Sequence, residues 1–418
     1  MGTSEAGRYD VVVVGAGAAG LACAGDLCAA GLRVRLVEAD DTVGGRMRTD
    51  RMAGFVVDRG FQVFNTAYPQ VRRRLDLKAL RLRPFSPGVV VHTEDGPRRF
   101  TDPTRGLRHG RDLLPGRLAS ARDLAAVTAL TARDMLAPAR VLRRGRDGTT
   151  RTALAEAGVS PELVETFFRP FLSGVFLEDE LETSARFFHL VWRSMMRGTL
   201  SLPAEGIGAV PAQLASRLPP GVLRTGSPVT AVAADGVTLA GKEELRARAV
   251  VVATGQRVAA GLLPGLSVPE GRTVTTLYHA AAEPPTTEPV LHVDARRRFL
   301  NTCVLTALQP RFSADGRALV ATSVLGAPDA ARAATVLRAL GEVYGTDTRT
   351  WEPVHRVTVR DALPAMPGPA PLSRRTRFAP GRYVCGDHRA TASLQGALAS
   401  GARAAREVTA DLRDGRIG

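Results

Sequence analysis

The sequence is nearly devoid of lysine, although it is strongly basic. Lys78 and Lys242 are the only lysines among 418 residues, yet the formal net charge is +15, so arginine carries almost all the positive charge. The basic clusters at 72–74, 143–146 and 296–298 are short and scattered, which is typical of a solvated surface; contact with anionic lipid is the alternative. No zinc-finger spacing or RNA-binding aromatic motif accompanies them, so we expect no nucleic-acid partner.

Long apolar segments are missing as well. No apolar run reaches the roughly 18–20 residues that span a bilayer. The first residues, MGTSEAGRYD, lack the basic start and apolar stretch of a secretory signal. These absences predict a cytoplasmic protein, with peripheral membrane contact as a separate possibility. With 44% hydrophobic residues the chain can bury a sizeable core, and its length favours two or three domains.

Cysteine and histidine are sparse and unclustered. Cys23, Cys28, Cys303 and Cys385 form no C-x-x-C pair, and the seven histidines show no metal-ligand spacing. Cys23 and Cys28 lie five positions apart on a predicted helix, so they do not share a face. We therefore predict reduced, mostly buried thiols and no metal site.

What the sequence does contain is a dinucleotide-binding fingerprint near its start. Residues 9–20 read YDVVVVGAGAAG, and the four valines predict a strand buried on both faces, as in a parallel sheet. Gly15, Gly17 and Gly20 form G-x-G-x-x-G. The first permits a tight turn, the second lets the backbone approach a pyrophosphate, and the third lets the helix at about 18–30 pack on the strand.

An acidic residue follows the next predicted strand at a suitable spacing. That strand covers about 33–37 and ends at Glu38, which lies 18 residues after Gly20 and is placed to bind the ribose hydroxyls of an adenosine. Strand, glycines, helix, second strand and acid occur in order. Together they predict a Rossmann-type site.

The segment VGGRMR at 43–48 favours FAD over a nicotinamide. Gly44 and Gly45 let the chain pass close to a second phosphate region, and Arg46 offers a planar cation. The fingerprint alone does not make this distinction. We therefore expect FAD as the cofactor.

The next segment, GFVVDRGFQVF at 54–64, is typical of a loop that returns to the cofactor through Asp58 and Gly60. With VGGRMR, it resembles the flavin-containing amine oxidase superfamily, which includes phytoene desaturases and protoporphyrinogen oxidases. In that family the glycine–arginine segment lies along the FAD diphosphate. Because no Cys, His or Tyr is positioned for covalent attachment, we expect the FAD to be non-covalent.

Two later stretches support the resemblance. SPVTAVAADGVTLAG at 227–241 predicts a β-hairpin, and ARAVVVATG at 247–255 predicts another buried strand that ends at a glycine. The resemblance implies an adenine-side backbone contact at Val229 and a cofactor-proximal turn at Thr254 and Gly255.

The last match lies near the carboxyl end. GRYVCGDHRATASLQGALASGARAA at 381–405 predicts a short strand, a sharp turn at Gly386 and Asp387, and a helix rich in small residues. The resemblance implies that Asp387 binds the ribityl or phosphate region and that the amides of 395–397 lie beneath the flavin pyrimidine ring. A helix amino-terminus there stabilises the negative charge of reduced flavin.

The predicted cofactor-binding set combines these segments with their immediate neighbours. It comprises Gly15, Gly17, Ala18, Ala19, Gly20, Glu38, Ala39, Gly44, Gly45, Arg46, Asp58, Gly60, Phe61, Val229, Thr254, Gly255, Gly386, Asp387, Gln395, Gly396 and Ala397. His388 and Arg389 follow the Gly-Asp turn directly and are the candidates for catalysis. The alternative is that they contact the cofactor or cap the turn.

The predicted fold is α/β, with a Rossmann-type FAD-binding domain built from discontinuous segments at 1–95, 205–271 and 352–418. Residues 96–204 and 272–351 form a mixed substrate domain with a helical part and an antiparallel sheet.

The helical part contains two stretches in which aromatic residues are concentrated. The stretch 117–144 predicts a helix that is bent or split by Pro138. The aromatic residues at 166–176 and 186–192 either pack between helices or line an apolar substrate tunnel. His189, among them, is expected to be a packed core histidine.

Two absences separate the sequence from amine-oxidising relatives. Many of those use a lysine that holds a water near flavin N5, and neither Lys78 nor Lys242 matches it; the closing stretch HRATASLQ also lacks aromatic residues. We therefore favour the desaturase-like branch: a dehydrogenase, desaturase or oxidase acting on an apolar molecule that is carotenoid-, porphyrinogen- or natural-product-like. Dioxygen, a quinone or another acceptor reoxidises the flavin. The alternatives are an amine or amino-acid oxidase, and a non-catalytic flavin-binding scaffold.

Overall fold

The structure is a computed structural model that describes residues 8–101 and 119–417. Its strands are β1 (Tyr9–Val14), β2 (Val34–Val37), β3 (Thr49–Met52), β4 (Phe55–Asp58), β5 (Phe64–Asn65), β6 (Arg83–Pro84), β7 (Val89–Thr93), β8 (Gly96–Phe100), β9 (Leu200–Leu202), β10 (Leu223–Arg224), β11 (Val229–Ala233), β12 (Gly236–Leu239), β13 (Glu244–Val252), β14 (Gly271–Ala281), β15 (Leu291–Asp294), β16 (Asn301–Val304), β17 (Ala318–Leu325), β18 (Glu352–Pro364), β19 (Arg377–Ala379) and β20 (Arg382–Val384).

The helices are α1 (Ala18–Ala29), α2 (Pro69–Arg74), α3 (Ala121–Leu136), α4 (Ala139–Arg144), α5 (Thr150–Glu156), α6 (Pro161–Leu163), α7 (Arg169–Phe176), α8 (Ala185–Arg197), α9 (Ala209–Ala215), α10 (Gln256–Leu262), α11 (Leu305–Leu308), α12 (Ala330–Tyr344) and α13 (Leu394–Arg413). A π-helical turn covers Val164–Phe168. Short 3₁₀ turns cover Pro310–Phe312, Thr348–Thr350 and Asp387–Arg389. Within the described ranges, no helix is long and apolar enough to cross a membrane.

An eight-stranded sheet draws its strands from three distant parts of the chain. Its parallel core runs β10–β2–β1–β13–β20, and β19 and the β11–β12 hairpin add antiparallel pairs. Alternate valines of β1 face opposite sides: Val11 and Val13 pack with α1 and α13, whereas Val12 and Val14 join the cluster on the other face. This arrangement confirms the predicted Rossmann-type α/β fold with its discontinuous segments.

A seven-stranded sheet forms the second layer, in the order β18–β14–β17–β16–β15–β7–β8. Its pairs are antiparallel except for the parallel pair β15–β7. Helix α12 packs on one face through Val336 and Leu340, and a cluster around Phe55 and Phe312 covers the other. The predicted antiparallel sheet is therefore present.

Three strands bear on the predicted domain boundaries, which stay predictions. β7 and β18 fall in segments that we assigned to the cofactor domain, but both lie in the seven-stranded sheet. β18 does so because it pairs with β14 from Glu352 to Pro364, and that ladder satisfies its backbone hydrogen-bonding groups. β8 is a strand where we expected the helical part to begin; the first described helix starts at Ala121.

The helical part is split as Pro138 predicted. α3 ends at Leu136, and α4 begins one residue after the proline; residues 117 and 118 of the predicted helix lie outside the described residues. The aromatic side chains of α7 and α8 are mostly buried and pack on one another, for example Phe176 on Phe187 with ring centroids 5.6 Å apart. This geometry favours packing between helices over a tunnel lining.

The structure gives the environments of His189, Lys78 and the four cysteines. His189 is mostly buried, as expected, but it is also hydrogen-bonded: its side chain is 12% exposed, and its Nδ1 lies 2.8 Å from the Oδ2 atom of the fully buried Asp134. Lys78 lies in an exposed turn after α2. The four cysteines are unpaired, and all except the half-buried Cys28 are buried.

Candidate functional site

The glycine turn after β1 is shaped by two close backbone contacts. Gly15 has φ +102° and lies against Ala253 and Thr254, the residues that follow β13. A β-carbon at Gly20 would lie 1.9 Å from the Gly15 carbonyl oxygen, so only glycine lets α1 begin this close to the strand. By contrast, a β-carbon at Gly17 would meet no atom within 4 Å. Gly17 therefore faces open space.

The amino-terminus of α1 has free donors next to that space. Gly17 is its N-cap and offers no side-chain hydrogen bond, so the first-turn amides have no capping side chain. Ala18 is half-buried and Ala19 is buried, and a β-carbon at Gly401 of α13 would lie 2.2 Å from the Ala19 carbonyl oxygen. A helix start with free amides is a site for a phosphate group.

A second glycine segment lies beside the first. The Gly44 amide donates to the Ala16 carbonyl at 2.9 Å, and Gly44 forms a parallel bridge with Gly17. Gly44 and Gly45 have φ values of +120° and +58°. The structure therefore brings the two predicted glycine motifs to one place.

Glu38 reaches the glycine turn from the end of β2. Its Oε2 accepts a hydrogen bond from the Ala16 amide at 2.6 Å, and its Oε1 accepts one from the Asp40 amide at 3.1 Å. The Ser227 amide donates to the Glu38 carbonyl, which places the start of the β11 segment beside it. Ala39, next in the chain, is exposed. A carboxylate held at the turn suits a ribose diol.

Arg46 links the second glycine segment to the closing motif. Its Nη2 donates to Asp387 Oδ1 at 2.7 Å, and its Nη1 donates to the Ala362 carbonyl at 2.8 Å. Gln62 Nε2 donates to the Arg46 carbonyl at 2.7 Å. This one residue thus joins three regions of the chain, and we call the space beside Gly17 and Arg46 the crevice.

The Gly-Asp turn before α13 is fixed by a serine. Gly386 has φ +150°, its amide donates to Ser400 Oγ at 2.9 Å, and Ser400 Oγ donates to its carbonyl at 2.7 Å. Sequence reasoning missed Ser400, because one serine in a small-residue helix carries no distinguishing pattern. The turn directs the Asp387 carboxylate to Arg46.

His388 packs its ring under Gly386 and is almost completely buried. Both of its ring nitrogens lack a hydrogen-bond partner among the described residues. Burial lowers the pKa of His388 from 6.5 to about 4, so its imidazole is neutral at physiological pH. A buried polar ring without partners is costly unless a bound group or water completes it.

Arg389 is directed away from this crevice. Its Nε and Nη2 donate to the Arg375 carbonyl, the former at 3.0 Å, and its Nη1 donates to the Ser267 carbonyl at 3.2 Å. These backbone carbonyls occupy its guanidinium, so Arg389 holds the 375 loop in place. A catalytic role for Arg389 stays a prediction that we do not pursue.

Two backbone amides at the start of α13 are already hydrogen-bonded to Ser393, the N-cap residue of this helix. Ser393 Oγ accepts from the Gly396 amide at 3.1 Å, and the Ser393 carbonyl accepts from the Ala397 amide at 2.9 Å. Of the amides of 395–397, only that of Gln395 remains for a ligand, together with that of Leu394. Gln395 Oε1 accepts from the Gln70 amide at 2.9 Å, which ties this end to α2.

One carboxylate oxygen of Asp58 accepts hydrogen bonds from other residues of the protein. Its Oδ1 accepts from Thr49 Oγ1 at 2.6 Å and from the Ile207 amide at 3.0 Å. Burial raises the pKa of Asp58 to about 6, partly opposed by these two hydrogen bonds. Its contacts hold the β3–β4 hairpin to the 206–208 loop, and its predicted cofactor contact stays a prediction.

Gly60 and Phe61 connect the crevice to the seven-stranded sheet. Gly60 has φ +86° and approaches Val359 of β18, and the Phe61 amide donates to Thr276 Oγ1 at 3.0 Å. The Phe61 ring lies edge-on to Phe85, with centroids 6.2 Å apart. These residues form the junction between the two sheets.

The remaining predicted residues lie along the edge of the eight-stranded sheet. Val229 is half-buried on β11 and pairs with Leu239. Thr254 contacts the Gly15 turn, and Gly255 begins α10 with nothing near its missing side chain. Their proposed cofactor contacts stay predictions.

These residues fit a dinucleotide cofactor. We call residues 15–20, Glu38, 44–46 and 386–388 the cradle. The cradle combines the uncapped start of α1 with open space beside Gly17. It also contains the Glu38 carboxylate and the buried His388 imidazole, which has no hydrogen-bond partner among the described residues. Metal chemistry has no comparable support: within 8–101 and 119–417, no three His, Cys, Asp or Glu side chains are grouped to hold an ion.

Comparisons with known proteins agree with this geometry. Residues 18–409 match the family described as flavin containing amine oxidoreductase. The chain is 38% identical over 84 residues to coproporphyrinogen III oxidase from Propionibacterium freudenreichii, and 41% identical over 84 residues to L-amino-acid oxidase from Crotalus adamanteus. Each match covers 20% of this chain and only 16% of the relative's length.

The solved structure of cyclohexylamine oxidase from Brevibacterium oxydans has the same fold. Its TM-score is 0.70 at 18% identity, with 97% of this chain and 100% of that chain covered. The family match extends over nearly the whole chain and confirms the resemblance inferred from the motifs. The chain belongs to the flavin containing amine oxidoreductase family, and its cofactor is FAD.

Proposed function

We propose that this FAD-dependent oxidoreductase removes a hydride from an apolar small molecule, as a dehydrogenase, desaturase or oxidase. FAD, when bound, accepts the hydride, and the protein supplies orientation and electrostatics. The cradle residues bind FAD. The first turn of α1 and Gly17 bind the diphosphate, and Glu38 binds the ribose. Arg46 and Asp387 bind the ribityl or second phosphate region. The FAD is non-covalent.

One observation supports the proposal that the substrate is apolar. Phe61 and Phe85 are half-buried, and Val63 is 38% exposed, one of the few large apolar side chains left open to solvent. Gln62, between Phe61 and Val63, is bonded to the Arg46 carbonyl of the cradle. Through Gln62, this apolar strip of three residues is tied to the cradle. Apolar walls with few polar groups are typical of sites for hydrophobic ligands.

The two lysines support the same choice. Lys78 and Lys242 are exposed in surface turns, and Lys242 lies between β12 and β13. Since these are the only lysines in the sequence, no lysine is available to hold a water at the cradle. The protein therefore lacks the design that many amine-oxidising relatives use.

His388 serves binding rather than proton transfer in this proposal. Its lowered pKa keeps the imidazole neutral, and its two open nitrogens offer one donor and one acceptor to a bound group. We assign no catalytic acid or base. The chain's contribution to the reaction is to hold the substrate carbon against the cofactor and to exclude water.

The finer assignments follow the same reasoning. We favour a desaturase-like enzyme whose substrate is carotenoid-, porphyrinogen- or natural-product-like, with dioxygen or a quinone as the final acceptor. The local identity to a coproporphyrinogen III oxidase supports a porphyrinogen-like substrate. We place the protein in the cytoplasm, with peripheral membrane contact and no nucleic-acid partner.

Amine or amino-acid oxidation is the second candidate. The local identity to an L-amino-acid oxidase favours it. A non-catalytic flavin-binding scaffold is the third and has no observation of its own. The three differ in which compounds reduce the flavin.

Anaerobic titration of the purified holoprotein separates them. We expect a porphyrinogen or a carotenoid precursor to bleach the flavin absorbance, and primary amines and L-amino acids to leave it unchanged. Phe61→Ser should slow bleaching about tenfold through poorer substrate positioning, whereas Phe378→Ser, on β19, should not. Bleaching only by amines or amino acids, followed by peroxide release in air, supports the second candidate. Flavin that dithionite cannot reduce supports the scaffold.

A further inference from the structure

The turn between α3 and α4 exposes apolar side chains to solvent. We call residues 136–146 the elbow. Leu136 is 83% exposed and Val141 is 53% exposed, and they are two of the four large apolar side chains that the described residues leave open. Both lie in a segment of eleven residues. Such a patch is either an interaction surface or a liability.

The elbow is held firmly in place. Arg193 of α8 donates from Nη1 to the carbonyls of Asp134, Met135 and Ala137 at 2.5–2.7 Å, which caps the end of α3. Pro138 then begins the turn, and Leu142, 7% exposed, anchors α4 to the core. The outward position of Leu136 is therefore built into the fold rather than a consequence of fraying.

Four arginines surround the apolar pair. Arg140, Arg143, Arg144 and Arg146 are exposed. None of them forms an ion pair or a side-chain hydrogen bond with the residues that the structure describes. On the helix, Arg140 and Arg144 lie on the side opposite the buried Leu142. A surface hollow of about 330 Å³ lies there, lined by Arg140, Val141, Arg144 and Gly145.

No acidic side chain neutralises this surface from its own segment. The acids within 119–146 are Asp123 and Asp134, 4% and 0% exposed. Asp123 accepts from Ser120 and Ser160, and Asp134 accepts from Arg133 and His189. Asp147, which follows the elbow, is engaged by Arg186. The exposed charge of the elbow is therefore entirely positive.

The other two basic clusters of the sequence are different. In the cluster at 296–298, Arg296 and Arg298 pair with Glu342, and Arg297 lies near Asp179. In the cluster at 72–74, Arg74 pairs with Asp26. Only the elbow combines unpaired arginines with exposed apolar side chains. This combination requires a partner that is both anionic and apolar.

We propose that the elbow docks on the surface of an anionic lipid bilayer. Leu136 and Val141 enter the boundary between headgroups and acyl chains, while the arginines bind lipid phosphates around them. A nucleic acid fits less well, because it offers no apolar layer for Leu136. This inference rests on the peripheral membrane contact of the proposed function, for which it names the surface, and it does not depend on the proposed substrate.

Vesicle flotation of the FAD-loaded protein tests the proposal. Vesicles contain either phosphatidylcholine alone or an equal mixture with phosphatidylglycerol. We expect binding to the mixed vesicles at low salt, weakening as salt rises, and none to phosphatidylcholine. The triple variant Arg140→Gln, Arg143→Gln, Arg144→Gln should weaken partitioning by about fivefold for each arginine removed, and Leu136→Ser with Val141→Ser should also release the protein.

Two controls match these variants. Val258→Ser removes a valine of 55% exposure on α10, and Arg72→Gln with Arg73→Gln removes charge from another cluster. Both should bind as the unaltered protein does, and flavin absorbance confirms that every variant is folded. No flotation of the unaltered protein at low salt, equal losses in the controls, or tighter binding of duplex DNA than of vesicles through the same arginines would each overturn the proposal.

Discussion

Arg46 and Asp387, 341 positions apart in the sequence, meet with an Nη2–Oδ1 distance of 2.7 Å. The Asp387 side chain is 6% exposed and the Arg46 side chain is 36% exposed. This pair fixes the second glycine segment against the closing motif, and both segments belong to the cradle. The cradle therefore depends on one ion pair between the two ends of the chain.

Removing one partner of this pair should destabilise the protein more than removing both. Asp387→Asn or Arg46→Met should each lower the free energy of unfolding by about 1–3 kcal/mol, because the remaining charge is left partly buried without its partner. Urea unfolding of both single variants and the double variant measures the coupling.

The Arg59–Asp50 pair provides the control, since its side chains are 40% and 29% exposed. Arg59→Met should cost about 1 kcal/mol or less, as exposed pairs do. Purely additive effects at Arg46 and Asp387 would contradict their coupling.

Gly17→Ala should remove the flavin without unfolding the chain. The added methyl group meets no protein atom within 4 Å, but it projects where the backbone must approach the diphosphate. We expect FAD affinity to fall at least about tenfold, with the urea unfolding midpoint of the apoprotein unchanged or slightly raised. Equilibrium binding monitored by flavin fluorescence gives the affinity.

Gly25→Ala is the matched change in the same helix. Its methyl group would contact only Leu218, at 3.9 Å. Alanine favours a helix over glycine by about 1 kcal/mol, so this variant should be slightly more stable and keep its FAD. Similar FAD loss in both variants would show that α1 itself, and not the open position at Gly17, governs binding.

Three buried histidines should make the apoprotein sensitive to acid. Burial lowers the pKa of His279, His292 and His388 from 6.5 to about 4. Each folded-state pKa lies below the unfolded value, so each neutral histidine makes its full contribution to the free energy of unfolding above about pH 6.5. That contribution is lost as the pH falls toward 4. At pH 5 we expect a loss of about 2 kcal/mol for each histidine.

His279→Leu isolates one of these contributions. Urea unfolding between about pH 7 and about pH 5 should show a loss that is smaller by about 2 kcal/mol than in the unaltered protein. An identical pH slope in His279→Leu and the unaltered protein would refute the assignment.

Asp58 should act in the opposite direction. Burial raises its pKa to about 6, so the stability from its protonated form is present below about pH 4 and is lost as the pH rises through 6. The Asp58→Asn variant should keep the fold. As the pH rises to neutral, its free energy of unfolding should therefore decrease less than that of the unaltered protein. A reduced FAD content in this variant, with unchanged unfolding, would support the predicted cofactor role.

The local motifs were predictable because their information is local. The Gly15 turn, the packing at Gly20 and the Glu38 contact all arise within 30 residues of chain, where strand, turn and helix patterns apply. The Pro138 split is local in the same way.

Long-range partners were not predictable from the same patterns. Asp58 looked like a cofactor ligand, but its partner is the amide of Ile207, 149 positions away. Arg389 was expected at the flavin, but the carbonyl of Ser267 lies within its reach. β18 joined the second sheet because β14 offered a full-length edge. No periodicity in the sequence encodes such pairings.

The most direct test of the account is the absorption spectrum of the purified protein before and after acid precipitation. We predict a flavin spectrum with one FAD per chain, released completely into the supernatant, and Gly17→Ala protein that is purified with less FAD. A colourless unaltered protein, a bound nicotinamide, or a pellet that stays yellow would contradict a cradle that binds FAD without a covalent bond.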